Sequence, residues 1–212
     1  RRACARLLAN PPEDYEQFLA DNAFWLPDYA LFMALKDAHG GKSWLEWERP
    51  LRLRKPAELD KARRYHKANI DFWQAVQYLF YTQWKKLKAY ANARGVEIIG
   101  DLPIYVAADS VDVWSSPQEF QLDENLLPIE VAGCPPDGFS ATGQLWGNPL
   151  FDWDAMAATG YRWWVRRIRH LCSIYDLLRI DHFRGFAGYY AIPYGDKTAE
   201  NGRWRTGPGY SL

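Results

Sequence analysis

One short segment of this chain combines an apolar run with side chains that could perform nucleophilic or acid–base chemistry. Leu177 to Ile180 form the run, Arg179 lies within it, and Asp181 and His182 follow directly. If the run is a buried strand, alternate side chains share a face, so Arg179 and Asp181 point to the same side. A neighbouring arginine favours the carboxylate form of an aspartate. Asp181 is therefore a candidate nucleophile, although a structural ion pair would have the same spacing.

A second carboxylate ends another apolar run. This is Asp101, in the predicted strand segment at residues 96–106. The segment follows a long helical pattern, and the order helix then strand recurs before Asp181. Such alternation indicates a parallel α/β architecture. In a (β/α) barrel the carboxyl ends of the strands open into one mouth, where active sites lie. Asp101 and Asp181 are therefore expected at equivalent ends of two parallel strands.

A long segment between these runs, residues 121–153, is rich in glycine and proline and is predicted to be irregular. Loops of this length inside a compact domain are often binding loops or lids. Asp137, Gln144, Trp146 and Asn148 supply a charge, two amides and a ring, which suit recognition of hydroxyl groups and stacking on a sugar. Asp-Gly and Asn-Pro also form turns, so a purely structural role is the alternative interpretation.

Helical periodicity occupies much of the first half of the chain. Asp28 is predicted to cap a helix that Gly40-Gly41 ends. Residues 56–94 are predicted to be helical with a bend near Asn69. The apolar stripe expected along this second helix consists of Phe72, Val76, Leu79, Phe80 and Leu87.

A further amphipathic helix is predicted over residues 154–175. Trp164, Ile168, Leu171 and Cys172 are expected to face inward, and the arginines are expected to lie mostly on the other side, namely Arg166, Arg167 and Arg169. Ser110 is expected to cap a short helical turn before the long irregular segment. After Asp181 the sequence is rich in glycine, so little regular structure is predicted there.

The composition limits the classes of partner. The 26 basic and 26 acidic residues cancel, so neither nucleic acid nor an acidic membrane surface is implied, and a neutral ligand fits better. No apolar run approaches the roughly 18 residues of a membrane span. Cys4, Cys134 and Cys172 lack the C-x-x-C spacing of a zinc site, and their scatter argues against a disulfide scaffold. The 11 Trp and 13 Tyr residues give a mild preference for carbohydrate binding.

Six sequence blocks carry a family resemblance, and they keep their order over nearly the whole chain. They lie at residues 24–32, 100–107, 132–137, 143–149, 179–185 and 202–204. Together they resemble the 4-alpha-glucanotransferase family, also called amylomaltase or disproportionating enzyme, within the alpha-amylase clan. The resemblance implies an α/β fold, specifically a partial (β/α)8 TIM barrel with inserted helical and loop subdomains.

The resemblance also implies a reaction and its site residues. An alpha-1,4-glucan segment would be transferred with retention from a maltooligosaccharide to another glucan or to glucose, without a metal or organic cofactor. Asp181 would be the nucleophile that forms a covalent glucosyl-enzyme, Arg179 would hold its carboxylate, and Asp101 would support the donor sugar. Further substrate contacts would come from Asp137, Gln144, Trp146, Asn148 and His182. The resemblance implies a cytoplasmic location, or a plastid location in a plant.

Within one catalytic barrel domain, the resemblance assigns a part to each segment. Residues 1–94 would be mainly helical and residues 95–110 a barrel strand with its loop. Residues 111–153 would form a long substrate-binding insertion. Residues 154–212 would supply a barrel helix, the strand of the nucleophile and the following loop.

Retaining chemistry needs a second carboxyl group as acid/base, which in this family is a Glu on a later strand, together with a further stabilising Asp. After Asp181 the chain has one glutamate, Glu200, in a glycine-rich segment. We therefore expect an interior part of a longer enzyme that is inactive on its own. Two alternatives remain open, namely an alpha-glucan hydrolase of the same clan and a non-catalytic glucan-binding barrel.

Overall fold

The computed structural model describes all 212 residues, and the chain folds as two compact units, Arg1–Val96 and Glu97–Leu212. The first unit contains only helices, whereas the second combines helices with two β-sheets. The fold is therefore mixed α/β, as the alternating patterns predict. None of the helices is both long and apolar enough to cross a lipid bilayer.

Six α-helices build the first unit around apolar side chains. The third helix is the most deeply buried, because Ala30, Leu31 and Leu35 are fully inaccessible to solvent. The sixth and longest helix adds Ala75 and Tyr78 to a core shared with the first two helices. The helices are α1 (Arg2–Ala9), α2 (Tyr15–Asp21), α3 (Leu26–Ala38), α4 (Arg49–Arg52), α5 (Pro56–Tyr65) and α6 (Lys67–Asn92).

The start of α3 differs from the prediction. Trp25, and not Asp28, occupies the N-cap position. Asp28 lies in the first turn, where it offsets the helix dipole and accepts a 2.9 Å hydrogen bond from the Arg54 guanidinium. At the other end, Gly40 and Gly41 adopt left-handed φ values of 65° and 81°, so the predicted glycine stop is confirmed.

The helix predicted over residues 56–94 is in fact two helices. Their break lies at His66, which ends α5 and precedes α6, and not at a bend near Asn69. The predicted apolar stripe is buried only in part, because Phe80 and Leu87 are 51% and 54% exposed. Phe72, Val76 and Leu79 pack against the core of this unit, so the predicted side of the helix is confirmed for these three residues and wrong for Phe80 and Leu87.

In the second unit, the two strands that were predicted to be parallel pair directly with each other. They are β1 (Ile99–Pro103) and β4 (Leu177–Asp181), whose intervening chain is long enough for a crossover connection. Asp101 lies directly opposite Arg179, and Pro103 lies opposite Asp181. The prediction that Asp101 and Asp181 occupy equivalent strand ends is therefore wrong, because Asp101 is the middle residue of β1 and Asp181 is the last residue of β4. The side chains alternate between the covered and the exposed face, so the charged residues of both strands share the exposed face.

A four-stranded antiparallel sheet occupies segments that were predicted to be irregular. Its order is β3-β2-β5-β6, from β2 (Glu130–Cys134), β3 (Gln144–Pro149), β5 (Gly188–Pro193) and β6 (Arg203–Thr206). The prediction of an irregular stretch over 121–153, and of little regular structure after Asp181, is therefore wrong. These short strands are stabilised by pairing with distant partners, and β5 is buried between its neighbours.

The helices of the second unit are α7 (Val111–Ser115), α8 (Trp153–Ala158) and α9 (Arg162–Ile174). Ser110 caps α7 through its hydroxyl, as predicted. The single helix predicted over 154–175 is interrupted at Tyr161, which has a left-handed φ of 51°. Trp164 is buried as predicted, whereas Cys172 is exposed, so its placement in the core is wrong. Arg166 and Arg169 are exposed as predicted, but Arg167 is half-buried and its guanidinium lies over indole rings of α9 itself.

Candidate active site

Two carboxylates and one guanidinium meet on the exposed face of the parallel strand pair. Arg179 donates from Nε to Asp101 Oδ1 at 2.9 Å and from Nη2 to Asp101 Oδ2 at 2.8 Å. The same Nη2 reaches Asp181 Oδ1 at 3.2 Å. The predicted contact between Arg179 and Asp181 is therefore present, but the bidentate partner is Asp101 on the neighbouring strand. Strand register sets this arrangement, because it places Asp101 opposite Arg179 and Asp181 two residues further on.

The two carboxylates of the cluster, Asp101 and Asp181, differ in their hydrogen bonds to Arg179. Hydrogen bonding to Arg179 holds the pKa of Asp101 below its ordinary value, and Asp101 in turn raises the pKa of Arg179. Asp101 is therefore poorly suited to donate a proton near neutral pH and well suited to orient the guanidinium. Asp181 is held through one oxygen only, and its Oδ2 has no hydrogen bond within the chain. Both carboxylates are more than half exposed, so solvent reaches the cluster.

An aromatic and amide group adjoins the end of β4. His182 follows Asp181 with a left-handed φ of 52°, a sparsely populated conformation that turns the chain sharply. Its ring meets Trp146 edge to face, with centroids 4.9 Å apart. Trp146 Nε1 donates to Gln144 Oε1 at 3.0 Å. Burial lowers the pKa of His182, so its neutral form predominates at pH 7. The structure thus brings together three of the predicted substrate-binding residues.

Two other predicted site residues make hydrogen bonds to the backbone. The Asn148 amide donates to the carbonyl oxygen of Val106 at 2.8 Å, which ties β3 to the segment after β1. Asp137 Oδ1 accepts from the amides of Phe139 and Ser140, each at 2.8 Å. This is the turn chemistry that was the alternative interpretation for Asp137. That Asn148 and Asp137 contact a substrate stays a prediction.

Tyr105 belongs to the same group, and the sequence analysis assigned it no role. Its buried ring lies 6.3 Å from the rings of both Trp146 and His182. Burial raises the pKa of its hydroxyl. Arg167 donates to the neighbouring Ile104 carbonyl at 3.2 Å and so fixes the backbone that carries this ring. The only signal in the sequence is the position of Tyr105 just beyond the strand that holds Asp101.

Glu130 is a second residue that the sequence analysis missed. Its side chain is 8% exposed and lies on β2, the strand next to the one that carries Gln144 and Trp146. Oε1 accepts from Arg203 Nε at 3.2 Å and Nη2 at 3.0 Å, and Oε2 accepts from Arg205 Nη2 at 3.0 Å. Glu130 therefore clamps β6 to β2 across the intervening strand β5.

Metal-ligating side chains are dispersed in this chain. No group of three or more His, Cys, Asp or Glu residues is arranged to hold a metal ion. Cys4 is buried, Cys134 is half-buried and Cys172 is exposed, and none forms a disulfide.

Comparison with known proteins gives consistent matches over the whole chain. A family model described as 4-alpha-glucanotransferase matches residues 1–212. The 4-alpha-glucanotransferase of Clostridium butyricum is 48% identical over 213 residues, covering 100% of this chain and 44% of that protein. The protein of the same name from Thermus thermophilus is 50% identical over 204 residues, covering 95% of this chain and 41% of that one.

A solved structure extends the match to three dimensions. Amylomaltase from Streptococcus agalactiae, in complex with acarbose, superposes with a TM-score of 0.93 at 41% sequence identity. The superposition covers 100% of this chain and 44% of that chain. This chain thus spans less than half the length of the relatives that it matches.

Proposed function

This chain belongs to the 4-alpha-glucanotransferase family, and from that premise we propose that it carries the nucleophile of an enzyme that transfers alpha-1,4-glucan segments. The donor is a maltooligosaccharide or a longer alpha-1,4-glucan, and the acceptor is another glucan or glucose. The names of the relatives support this reaction, and the amylomaltase complex with acarbose supports a glucan-like ligand. Transfer makes glucan chains of new lengths without net hydrolysis.

The observation that carries the proposal is the asymmetric hydrogen bonding of Asp181. Arg179 holds Oδ1, which leaves Oδ2 to attack the anomeric carbon of the donor sugar. In the first step the bond from Oδ2 to that carbon forms, the bond to the leaving glucan oxygen breaks, and a general acid protonates that oxygen. In the second step an acceptor hydroxyl displaces Asp181, gives its proton to the same group and restores the original configuration.

The general acid is a carboxyl group other than Asp101. The hydrogen bonds from Arg179 lower the pKa of Asp101, so it stays ionised when a proton has to be donated. Its position opposite Arg179 suits it to orient the cluster and to accept hydroxyl groups of the donor sugar. We assign the acid/base role to a glutamate from another strand, as the family resemblance implies.

The aromatic group beside Asp181 forms the substrate-binding wall. Trp146 offers an indole that is 37% exposed, and His182 and Gln144 offer polar atoms next to it. Sugar rings present apolar C–H faces and hydroxyl edges, which match this combination. We place Asn148 and Asp137 on the acceptor side, within an inserted substrate-binding segment at 111–153.

We further propose that β1 and β4 are strands of a partial (β/α)8 TIM barrel. They are parallel, and Asp181 is the last residue of β4. The carboxyl end of a strand is where barrel enzymes place their active sites. The antiparallel sheet of the same unit is then an inserted subdomain.

The test is maltotriose disproportionation by the full-length protein, with product lengths resolved by chromatography. Asp181→Asn should abolish transfer and leave the thermal midpoint unchanged, while Asp154→Asn, which alters an exposed carboxylate on α8, should behave as wild type. Residual activity of Asp181→Asn within about tenfold of wild type removes Asp181 from its role. Added glucose separates the reaction classes, because a transferase attaches it to glucan and a hydrolase does not.

A further inference from the structure

The helical unit contains a cavity that the proposed reaction does not use. Its volume is about 370 Å³, within the range of roughly 300–1,000 Å³ that is usual for small-ligand sites. Residues of α3 and α5, and of the segment around α4, line it. The floor is apolar, since Leu35 is fully buried and Ala62 is 7% exposed.

The rim of the cavity is polar and aromatic. Tyr65 lines the cavity and is 84% exposed, and its ring meets the ring of His66 at a nearly perpendicular angle, with centroids 4.8 Å apart. No hydrogen bond within the chain engages either ring nitrogen of His66. Burial lowers the pKa of His66, so the neutral ring offers one donor and one acceptor at pH 7.

The charges on the rim argue against an anionic ligand. The lysine of the lining is already matched, because Lys61 lies 3.6 Å from Glu58, and His39 Nε2 lies 2.9 Å from Glu48. His39 also contacts the Leu35 carbonyl at 2.8 Å through its other ring nitrogen. The carboxylates of Glu48 and Glu58 keep further acceptor positions for hydroxyl groups. A neutral ligand with hydroxyl edges and an apolar face therefore fits both the floor and the rim.

We propose that this cavity is a second carbohydrate-binding site, which holds a short stretch of an alpha-glucan chain against Tyr65. The ring of Tyr65 stacks on one face of a glucose unit, and His66 and Glu58 bind its hydroxyl groups. The site is made entirely from residues of the first unit and takes no part in bond cleavage. Its task is to retain long glucans, so it should matter for glycogen and not for maltotriose. The choice of an alpha-glucan as ligand rests on the proposed function.

The experiment is affinity electrophoresis of the full-length protein in native gels with increasing glycogen, together with turnover of maltotriose. Tyr65→Ala should weaken the apparent affinity for glycogen by at least about fivefold, as loss of a central aromatic contact does at other binding sites. Tyr65→Phe keeps the ring and should retain most of that affinity. The matched control is Tyr90→Ala, since Tyr90 is also exposed and lies on α6, outside the cavity.

The outcomes separate this site from the proposed reaction. Weaker glycogen binding with unchanged maltotriose turnover in Tyr65→Ala supports the site. Two results would overturn it. The first is unchanged glycogen affinity both in Tyr65→Ala and in the double variant Tyr65→Ala/His66→Ala. The second is a loss of maltotriose turnover in Tyr65→Ala that equals its loss of glycogen affinity. If the wild-type protein transfers no glucan, the proposed reaction is wrong, and the gel series still decides whether the cavity binds carbohydrate.

Discussion

Replacing Glu130 by glutamine tests whether one buried carboxylate fixes the antiparallel sheet beside the active-site cluster. Glutamine has nearly the same shape, so Oε1 can still accept from Arg203. Its Nε2 group, however, would meet the Nη2 donor of Arg205, and the negative charge between the two guanidinium groups is lost. The substitution therefore removes one hydrogen bond and the charge assistance of the others without opening a cavity.

The magnitude follows from the exposure of the partners. A hydrogen bond to a charged group contributes about 1.5–3 kcal/mol when its loss leaves a buried group unsatisfied. The arginine side chains are 65% and 41% exposed, so water compensates them in part, whereas Glu130 is 8% exposed. We expect Glu130→Gln to lower the free energy of unfolding by about 2 kcal/mol. For a protein of this size that is about 4–8 °C in thermal midpoint.

The assay is thermal unfolding followed by near-ultraviolet circular dichroism, which reports the packing of the aromatic side chains, among them Trp204 and Tyr190 of this sheet. Glu124→Gln is the control, because Glu124 is an exposed glutamate in a turn and its substitution should change stability by less than about 0.5 kcal/mol. If Glu130→Gln unfolds at the same temperature as the control, the clamp between β2 and β6 is not a stabilising element and the reasoning is refuted.

Two further predictions concern the cluster and the histidines. Arg179→Lys replaces a planar fork by a single cationic group that cannot bind Asp101 through two bonds. It should lower kcat for maltotriose by about 10²-fold with little change in thermal midpoint; near-wild-type turnover would contradict the positioning role. Three histidines have pKa values lowered by burial from the ordinary 6.5, so they bind protons less well folded than unfolded. Their stabilising contribution is present above pH 6.5 and is lost as the pH falls through their folded pKa values. The thermal midpoint should therefore decrease when the pH is lowered from about 7.5 to about 6. A midpoint that increases on this acidification would contradict the prediction. These histidines are His66, His170 and His182.

The sequence was most informative where the structural signal is local. The apolar run before Asp181 predicts a strand, and with it the common face of Arg179 and Asp181. That this strand runs parallel to β1 could be predicted, but not that the two strands pair directly. The bidentate bond from Arg179 to Asp101 could not be predicted, because it joins residues 78 positions apart and depends on strand register.

The antiparallel sheet was missed for a related reason. Its strands are short and are interrupted by glycine or proline, as at Gly133 and Pro149, so periodicity alone suggested turns. The pairing of β2 with β5 and the bond from Arg203 to Glu130 span long stretches of chain. Such contacts are set by tertiary packing and leave no pattern within a short window.

The most direct test of the central role of Asp181 is to trap the covalent intermediate. The full-length protein would be treated with a glycosyl fluoride donor that forms the intermediate faster than it is released, digested, and analysed by mass spectrometry. The expected result is a glycosyl group attached to the peptide that contains Asp181, with the bond at its carboxylate. Attachment to Asp101 or to any other residue would contradict the assignment of the nucleophile.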